Sequence, residues 1–379
     1  MTRPALRIET VETFAAYGSV FVRITTDTGL SGIGESTAFA YPRAVVEVVH
    51  ALQDYLIGAD PLPVERHFSM MYRSVGWRGI TLGGALSAID QALWDLRGHY
   101  YEEPVWQLLG GRSRRGVRAM KVISTGTQEE VVAASVAAAD AGFTAIKVLL
   151  HQHDHHGMRH AARIADLVER SRAIRNAVGD TMDIGIELHR NLQPGNSVAL
   201  INELAPMRPL FVEDPVPPDS VLSFGEVAAK VFVPMAAGER NTSIYEFREY
   251  IEHGGIAFVR PDIGIAGGFT QVRKIAAMAE SHHQGVIPHA VPSGPVATMA
   301  HVHLGITVPN WEVQEHVGQD GHPAVGMVDR ITPLEDGYLL PFDAPGLGMR
   351  LDDDFLAQAP VTVFPVRPDL REDGSVALR

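Results

Sequence analysis

The sequence contains no cysteine, which excludes a disulfide framework, a thiol nucleophile and any cysteine-based zinc site. No uninterrupted apolar run reaches membrane-spanning length, and Met1 to Thr10 lacks the apolar core of a signal peptide, so a cytoplasmic protein is expected. Basic residues are outnumbered: 32 Lys and Arg stand against 45 Asp and Glu, a net charge of −13. That balance argues against nucleic acid or an anionic membrane as partner. It leaves a small anionic substrate open, because a bound cation inverts the local field. Short-period repeats and low-complexity segments are missing as well. What is present is enough apolar sequence, 46%, for a large core, in a chain of 379 residues that suits a barrel with a smaller companion.

The first part of the chain reads as α+β. Val20 to Thr26 is rich in β-branched residues, Asp27-Thr28-Gly29 signals a turn, and Leu30 to Glu35 returns as the second arm of a hairpin. Gly32-Ile33-Gly34 lacks the third glycine and following helix of a dinucleotide fingerprint, so that reading is discarded. Helical spacing follows over 43–56 and 83–100, where Ala85, Ala88, Ile89, Ala92 and Leu93 form one stripe. Pro104 opens a short helix that Gly110-Gly111 closes.

After Arg112 strand-like and helical runs alternate. Strands are expected at 117–123, 145–150, 182–188, 210–212, 233–237, 257–260, 285–287 and 311–314, with helices at 128–141, 158–178, 196–205, 219–230, 243–253, 268–281 and 294–304. Eight such units predict an α/β fold, a (β/α)8 barrel with its active site at the C-terminal ends of the strands. The expected division is an N-terminal α+β block over 1–112, the barrel over 113–340, and a Pro-, Gly- and Asp-rich segment, 341–379, that packs back on the first block.

Three apolar runs end in carboxylates: Glu187, Glu213 and Glu239, spaced by 26 residues each time (213 − 187 and 239 − 213). That interval is a βα unit, so the three acids fall at the same end of consecutive strands. Converging negative charges repel, and a hard divalent cation with oxygen ligands relieves them; solvated acids in loops are the bland alternative. The other strand ends carry Lys147, His189, Asp262, His289 and either Glu312 or Glu315. His189 lies two residues after Glu187 and is expected on the same strand face. An Asp262 carboxylate beside His289 would fix the tautomer and raise the basicity of the imidazole, which could then remove a proton α to a carboxylate beside a metal.

These residues resemble the enolase superfamily, and within it the mandelate-racemase-like subgroup that includes acid-sugar dehydratases. The matching stretches are Ile24-Thr25-Thr26-Asp27, Gly32-Ile33-Gly34-Glu35, Ala88 through Asp95, Leu108-Leu109-Gly110-Gly111, Val212-Glu213-Asp214-Pro215 and Gly238-Glu239-Arg240. Arg260-Pro261-Asp262, Ala266-Gly267-Gly268, Gln314-Glu315 and Pro345-Gly346-Leu347-Gly348 complete the set, which spans nearly the whole chain. The resemblance implies a barrel capped by a domain made from both termini. It also implies Mg²⁺ on Glu187, Glu213 and Glu239, a His289–Asp262 dyad, Glu315 facing the substrate, and His189 as general acid, since family sites pair a Lys or His base with Mg²⁺. A symmetric homo-oligomer, dimer or octamer, is implied too.

Two positions depart from the family pattern. Glu187 stands where Asp is usual. Leu149 stands where racemases and cycloisomerases carry the second lysine of Lys-x-Lys, and a leucine accepts no proton. The expected activity is therefore a Mg²⁺-dependent hydro-lyase acting on a small sugar acid such as galactonate, gluconate or mannonate. An epimerase or cycloisomerase of the same superfamily is the alternative, and a barrel without turnover is the reading from another class. Lys147, Arg78, Trp77, Arg190 and Glu239 are expected to contact the substrate. The histidine-rich loop 151–156 reads as a polar loop or a zinc-binding tract.

Overall fold

The computed structural model describes residues 5–74, 76–124, 126–150, 155, 157–290, 292–317, 323–362 and 370–377. The chain opens with an antiparallel sheet of β1 (Ile8–Ala16), β2 (Ser19–Thr26) and β3 (Ser31–Ser36), followed by α1 (Pro42–Leu56), α2 (Val64–Ser74), α3 (Ile80–Tyr101) and α4 (Val105–Leu108). The sequence pattern anticipates this block except for α2, whose buried Val64, His67, Phe68 and Met71 form a stripe partly made of histidine. Helix α3 is buried on every face, because β3 covers one side and the barrel helices the other. Gly32 and Gly34 permit this: a Cβ on either would collide with the α3 backbone at Ala92 or Ala88.

The barrel follows. Strands β4 (Val117–Ile123), β5 (Ala145–Leu149), β6 (Asp183–Glu187), β7 (Phe211–Glu213), β8 (Met235–Ala237), β9 (Phe258–Val259) and β10 (Gly285–Val286) pair in parallel and in order. β11 (Gln314–His316) pairs with β4, and a parallel bridge from Val286 to Trp311 closes the ring. The eighth strand thus lies at 314–316, beyond the expected 311–314, because buried Trp311 spends its backbone on the β10 side and the ladder to β4 starts three residues later. The ring of eight agrees with the sequence reading, while ladders of two and three residues are shorter than the apolar runs that predict them. Helices α5 (Gln128–Asp140), α6 (His160–Val178), α7 (Pro194–Leu204), α8 (Val221–Ala228), α9 (Ile244–His253), α10 (Gly268–Ser281) and α11 (Pro295–Gly305) alternate with the strands. An unanticipated hairpin, β12 (Leu334–Glu335) and β13 (Tyr338–Leu339), pairs antiparallel with the first residues of β4.

The barrel interior has a floor. Met120, Ala145, Phe211, Ala236, Ile287 and Val313 form one buried apolar cluster across it. Phe211 fills the centre, which is why position 185 opposite it is glycine. The N-terminal block caps the C-terminal end of this barrel through buried polar groups. Glu35 accepts from the backbone N–H groups of Gly294 (2.8 Å) and Ala297 (2.9 Å) at the start of α11, where Pro295 has no N–H to offer. Asp90 accepts from Thr270 N–H (3.0 Å) in the first turn of α10. The C-terminal segment joins this contact: Asp95 accepts from Ile33 N–H (2.8 Å) and from Leu347 N–H (2.6 Å). After 353–356, Tyr17 N–H donates to the Pro360 carbonyl (2.9 Å). Among the described residues, no helix is long and apolar enough to cross a membrane.

Candidate active site

The layer above the apolar floor is charged. Glu187 and Glu213 end neighbouring strands in register, and Glu239 lies two residues past β8. All three are buried, and one carboxylate oxygen from each lies within 4.8 Å of the others. Six cationic or imidazole side chains surround them, Arg240 among them with Nε 3.6 Å from Glu239 Oε1. Lys147 Nζ lies 3.2 Å from Glu187 Oε2 and 3.0 Å from Glu213 Oε2, and it also pairs with Glu315. Arg260 pairs with Glu213, reaches Glu315 at 2.9 Å, and lies over the Phe211 ring of the floor. Arg190 pairs with Glu239 and lies 3.6 Å from Asp214.

His289 donates through Nδ1 to Asp262 Oδ2 at 2.9 Å, with Nε2 at 3.7 Å from Glu239 Oε2. Asp262 Oδ1 in turn accepts from Thr37 Oγ1 (2.8 Å) and Gly264 N–H (2.7 Å). Glu315 accepts from Ala290 N–H at 2.6 Å, directly after His289. His189 Nε2 lies 2.7 Å from Arg190 Nη2.

His189 does not reach this position by strand alternation. β6 stops at Glu187, and His189 and Arg190 both take left-handed backbone angles, with φ of 52° and 65°. The turn is held by Glu187 Oε1, which accepts from His189 N–H (2.7 Å), and by Arg190 N–H to the Asp214 carbonyl (2.6 Å). A left-handed turn, and not the alternation of a continuing strand, therefore sets where His189 lies.

The electrostatics follow from burial and pairing. Burial pulls the His289 imidazole down, but Glu239, then Asp262 and Glu315, outweigh it and raise it to about 9. Burial, then Arg190, lowers His189 to about 4, so that ring is neutral; the Arg190 donor to Nε2 places its proton on Nδ1. Burial pushes Glu213 up to about 8, with Glu187 adding to it against Arg260 and Lys147. Burial also opposes charge on Lys147, yet Glu213, Glu315 and Glu187 hold it well above the usual lysine range.

The structure brings Glu187, Glu213, Glu239, Asp262, His289, Glu315, His189, Lys147 and Arg190 together. Trp77 and Arg78 precede α3 in the cap, where Arg78 Nη1 donates to the Trp77 carbonyl at 2.9 Å. Trp77 is 84% exposed, and the Arg78 guanidinium lies 4.0 Å from the centre of the Tyr72 ring. Of the histidine-rich loop, residues 151–154 and 156 lie outside the described residues. His155 is buried and bonds Asp166 on α6 at 2.8 Å. Arg260 and Thr37 are site residues that the sequence reading passed over. Arg260 had a signal, since it stands two residues before Asp262 at the same strand end. Thr37 had none, because its partner is 225 residues away.

The residues present fit a hard divalent cation. The donors offered are carboxylate oxygens alone, and their repulsion is only partly met by Lys147, Arg190 and Arg260. The chemistry-bearing side chains therefore gather at the C-terminal ends of the strands, beneath the cap. That is the plan of a capped (β/α)8 enzyme.

The chain belongs to the mandelate racemase/muconate lactonizing enzyme family of the enolase superfamily. Residues 4–110 match the family model described as mandelate racemase/muconate lactonizing enzyme, N-terminal domain, and residues 130–355 match that described as enolase C-terminal domain-like. It is 36% identical over 372 residues to the D-galactonate dehydratase of Verminephrobacter eiseniae, covering 94% of this chain and 96% of that one. The D-galactonate dehydratase of Klebsiella pneumoniae is also 36% identical, over 88% of this chain and 89% of its own. Among solved structures, an enolase from Agrobacterium radiobacter bound to sodium and L-malate superposes with a TM-score of 0.92 at 28% identity, over 98% of this chain and all of that one.

Proposed function

We propose that the protein is a Mg²⁺-dependent dehydratase of a sugar acid, an aldonate of the galactonate, gluconate or mannonate type. The product is a 2-keto-3-deoxy acid. The observation that supports this most is that two imidazoles are tied to one carboxylate of the proposed ligand set, one directly and one through an arginine. His289 approaches Glu239 directly, and His189 is joined to it through Arg190. Mg²⁺ held by Glu187, Glu213 and Glu239 would stabilise the enediolate and offset the Glu239 charge that keeps His289 protonated.

In this reading His289, oriented by Asp262, removes the C2 proton. Lys147 and Arg260 keep Glu315 ionised and in place beside the reacting carboxylate. His189 is neutral in the free site, and the arrival of an anionic substrate supplies the negative charge that favours its protonation. It then gives its proton to the departing C3 hydroxyl, so the hydroxyl leaves as water. Leu149, at the end of β5 and paired in register with Glu187, offers no second base, which favours dehydration over transfer of a proton between two faces of C2.

Incubating the protein and Mg²⁺ in D₂O with each stereoisomer of the hexonates, pentonates and aldarates tests this. A 2-keto-3-deoxy acid from at least one aldonate is expected. Deuterium at C2 of recovered acid, with no keto acid from any member, would make the enzyme an epimerase. Light scattering on the active fraction tests assembly separately, a homo-oligomer being expected from the family.

A further inference from the structure

The Asp262 carboxylate that faces His289 also accepts a hydrogen bond from a residue outside the barrel. We propose that Thr37, from the cap, is a positioning residue for His289, acting through the Asp262 carboxylate; the inference rests on the proposed role of His289 as base.

Asp262 has two oxygens with separate tasks. Oδ2 faces His289 Nδ1 at 2.9 Å, and Oδ1 accepts the Thr37 hydroxyl at 2.8 Å and the Gly264 N–H at 2.7 Å. A carboxylate rotates about its last bond through a broad, soft torsion, so a single donor leaves its plane poorly fixed. The Gly264 N–H lies two residues along the same turn and moves with it. Thr37 is the donor that comes from outside, and it ties the carboxylate plane to the cap.

Thr37 is itself held. The residue is 3% exposed, and its N–H donates to the Gly264 carbonyl at 3.3 Å. Gly264 must be glycine for this approach, because a Cβ there would collide with the Thr37 side chain. Two residues earlier, Glu35 anchors the same segment to the start of α11. On the barrel side, the turn is braced by His301, whose Nε2 accepts from Ile263 N–H at 3.0 Å. The cap therefore sets the angle of the carboxylate that sets the imidazole. A hydroxyl is suited to this: it donates to Oδ1 without the charge that would compete with His289 for the carboxylate.

Thr37→Val keeps the shape and removes the donor, while Thr37→Ser keeps the donor. With an acid sugar that the parent turns over, kcat of the Val variant should fall about ten- to a hundredfold with KM nearly unchanged, and Ser should restore most of it. A readout independent of substrate is the ¹⁵N spectrum of histidine-labelled protein, with the His289 ring assigned from its loss in His289→Asn. The hydrogen-bonded Nδ1–H signal of the parent should weaken or broaden in the Val variant and return in the Ser variant. Parent-like kcat and parent-like ring signals in Thr37→Val overturn the proposal. Equal losses of kcat in Val and Ser with the ring signal unchanged also overturn it, leaving Thr37 as a residue that only docks the cap. Should the parent turn over no member of the sugar-acid panel, the proposed activity fails, and the ring signal still decides the role of Thr37.

Discussion

Buried carboxylates occur in two regions of this molecule and are held in two different ways. At the seam between cap and barrel, Glu35, Asp90 and Asp95 receive backbone N–H groups, several of them from the first turns of α10 and α11. At the strand ends, Glu187, Glu213, Glu239 and Glu315 are met by Lys147, Arg190 and Arg260. A backbone donor is fixed by the fold and has one partner for the life of the protein. A lysine or arginine side chain can be shared among several acids and re-paired when a cation or an anion arrives. The seam is architecture, and the mouth is equipment. Charge state follows the partners of each acid more than its region, since burial and Glu187 push Glu213 at the mouth up to about 8. Burial pushes Glu35 and Asp90 up to about 7. Glu315 is buried just as deeply, but Lys147 and Arg260 outweigh burial and hold it below the usual carboxylate range.

If the mouth is where negative charge is meant to meet a metal, neutralising one acid there should have the largest effect on turnover. Glu213→Gln keeps the side-chain volume and leaves Lys147 and Arg260 with Glu187 and Glu315 as partners. Folding should survive, with Mg²⁺ binding and turnover both reduced at least ~10³-fold. Calorimetric titration with Mg²⁺ beside a circular-dichroism melt checks this, and unchanged metal affinity would remove Glu213 from the ligand set.

The next effect belongs to the dyad. Asp262→Asn leaves His289 in place but offers its Nδ1 side an amide, so turnover should fall by ~10⁴, as loss of an orienting carboxylate does for other histidine bases. Activity within a few-fold of the parent would show that His289 does not lean on Asp262.

His189 should matter less, and for half of the reaction only. His189→Asn should still exchange the C2 proton of a true substrate with D₂O, while dehydration drops ~10²–10⁴-fold. His289→Asn should lose both. Full dehydration by the His189 variant would limit that ring to holding Arg190.

How much of this contrast is legible in the sequence depends on range. The mouth can be read because strand ends recur at a fixed interval: Glu187, Glu213 and Glu239 announce themselves by spacing, and Asp262 and His289 by standing after apolar runs. The dyad partners are 27 residues apart and on adjacent strands, so period and fold class together place them side by side. The seam could be recognised by family resemblance through Ala88 to Asp95 without being explained. Asp90 and Asp95 look like surface acids on a helix, and their N–H partners lie 180 and 252 residues away. Thr37 fails for the same reason. Strand alternation does not position His189, because the strand stops at Glu187 and the left-handed His189 and Arg190 carry no glycine to announce the turn. Lys147 and Arg190 were expected against the substrate. Their buried ion pairs come from barrel closure, which brings Glu315 of β11 to Lys147 on β5 and Glu239 to Arg190 in the turn after β6.

The smallest effect on turnover is expected at the seam, where the test is one of stability. Asp90 has its carboxyl raised by burial from 3.8 to about 7 in the folded protein. The folded state therefore binds more protons than the unfolded state between those values, and this group's contribution is fully present below pH ~4 and is lost as pH rises through ~7. Asp90→Asn keeps an oxygen for the Thr270 N–H and removes the charge that must be buried at neutral pH. The stability of the Asn variant relative to the parent should then improve by roughly 2–4 kcal/mol between pH 4 and pH 8, read from urea unfolding at several pH values. Other titrating groups, Glu35 included, are common to both proteins and cancel in the difference. Turnover per folded molecule should stay within about twofold, since Asp90 touches the first turn of α10 and none of the carboxylates at the mouth. A relative stability that does not change with pH would mean that the N-terminal dipole of α10 keeps Asp90 ionised through this range, and the seam would then hold its charges as firmly as the mouth does, by peptide dipoles in place of cations.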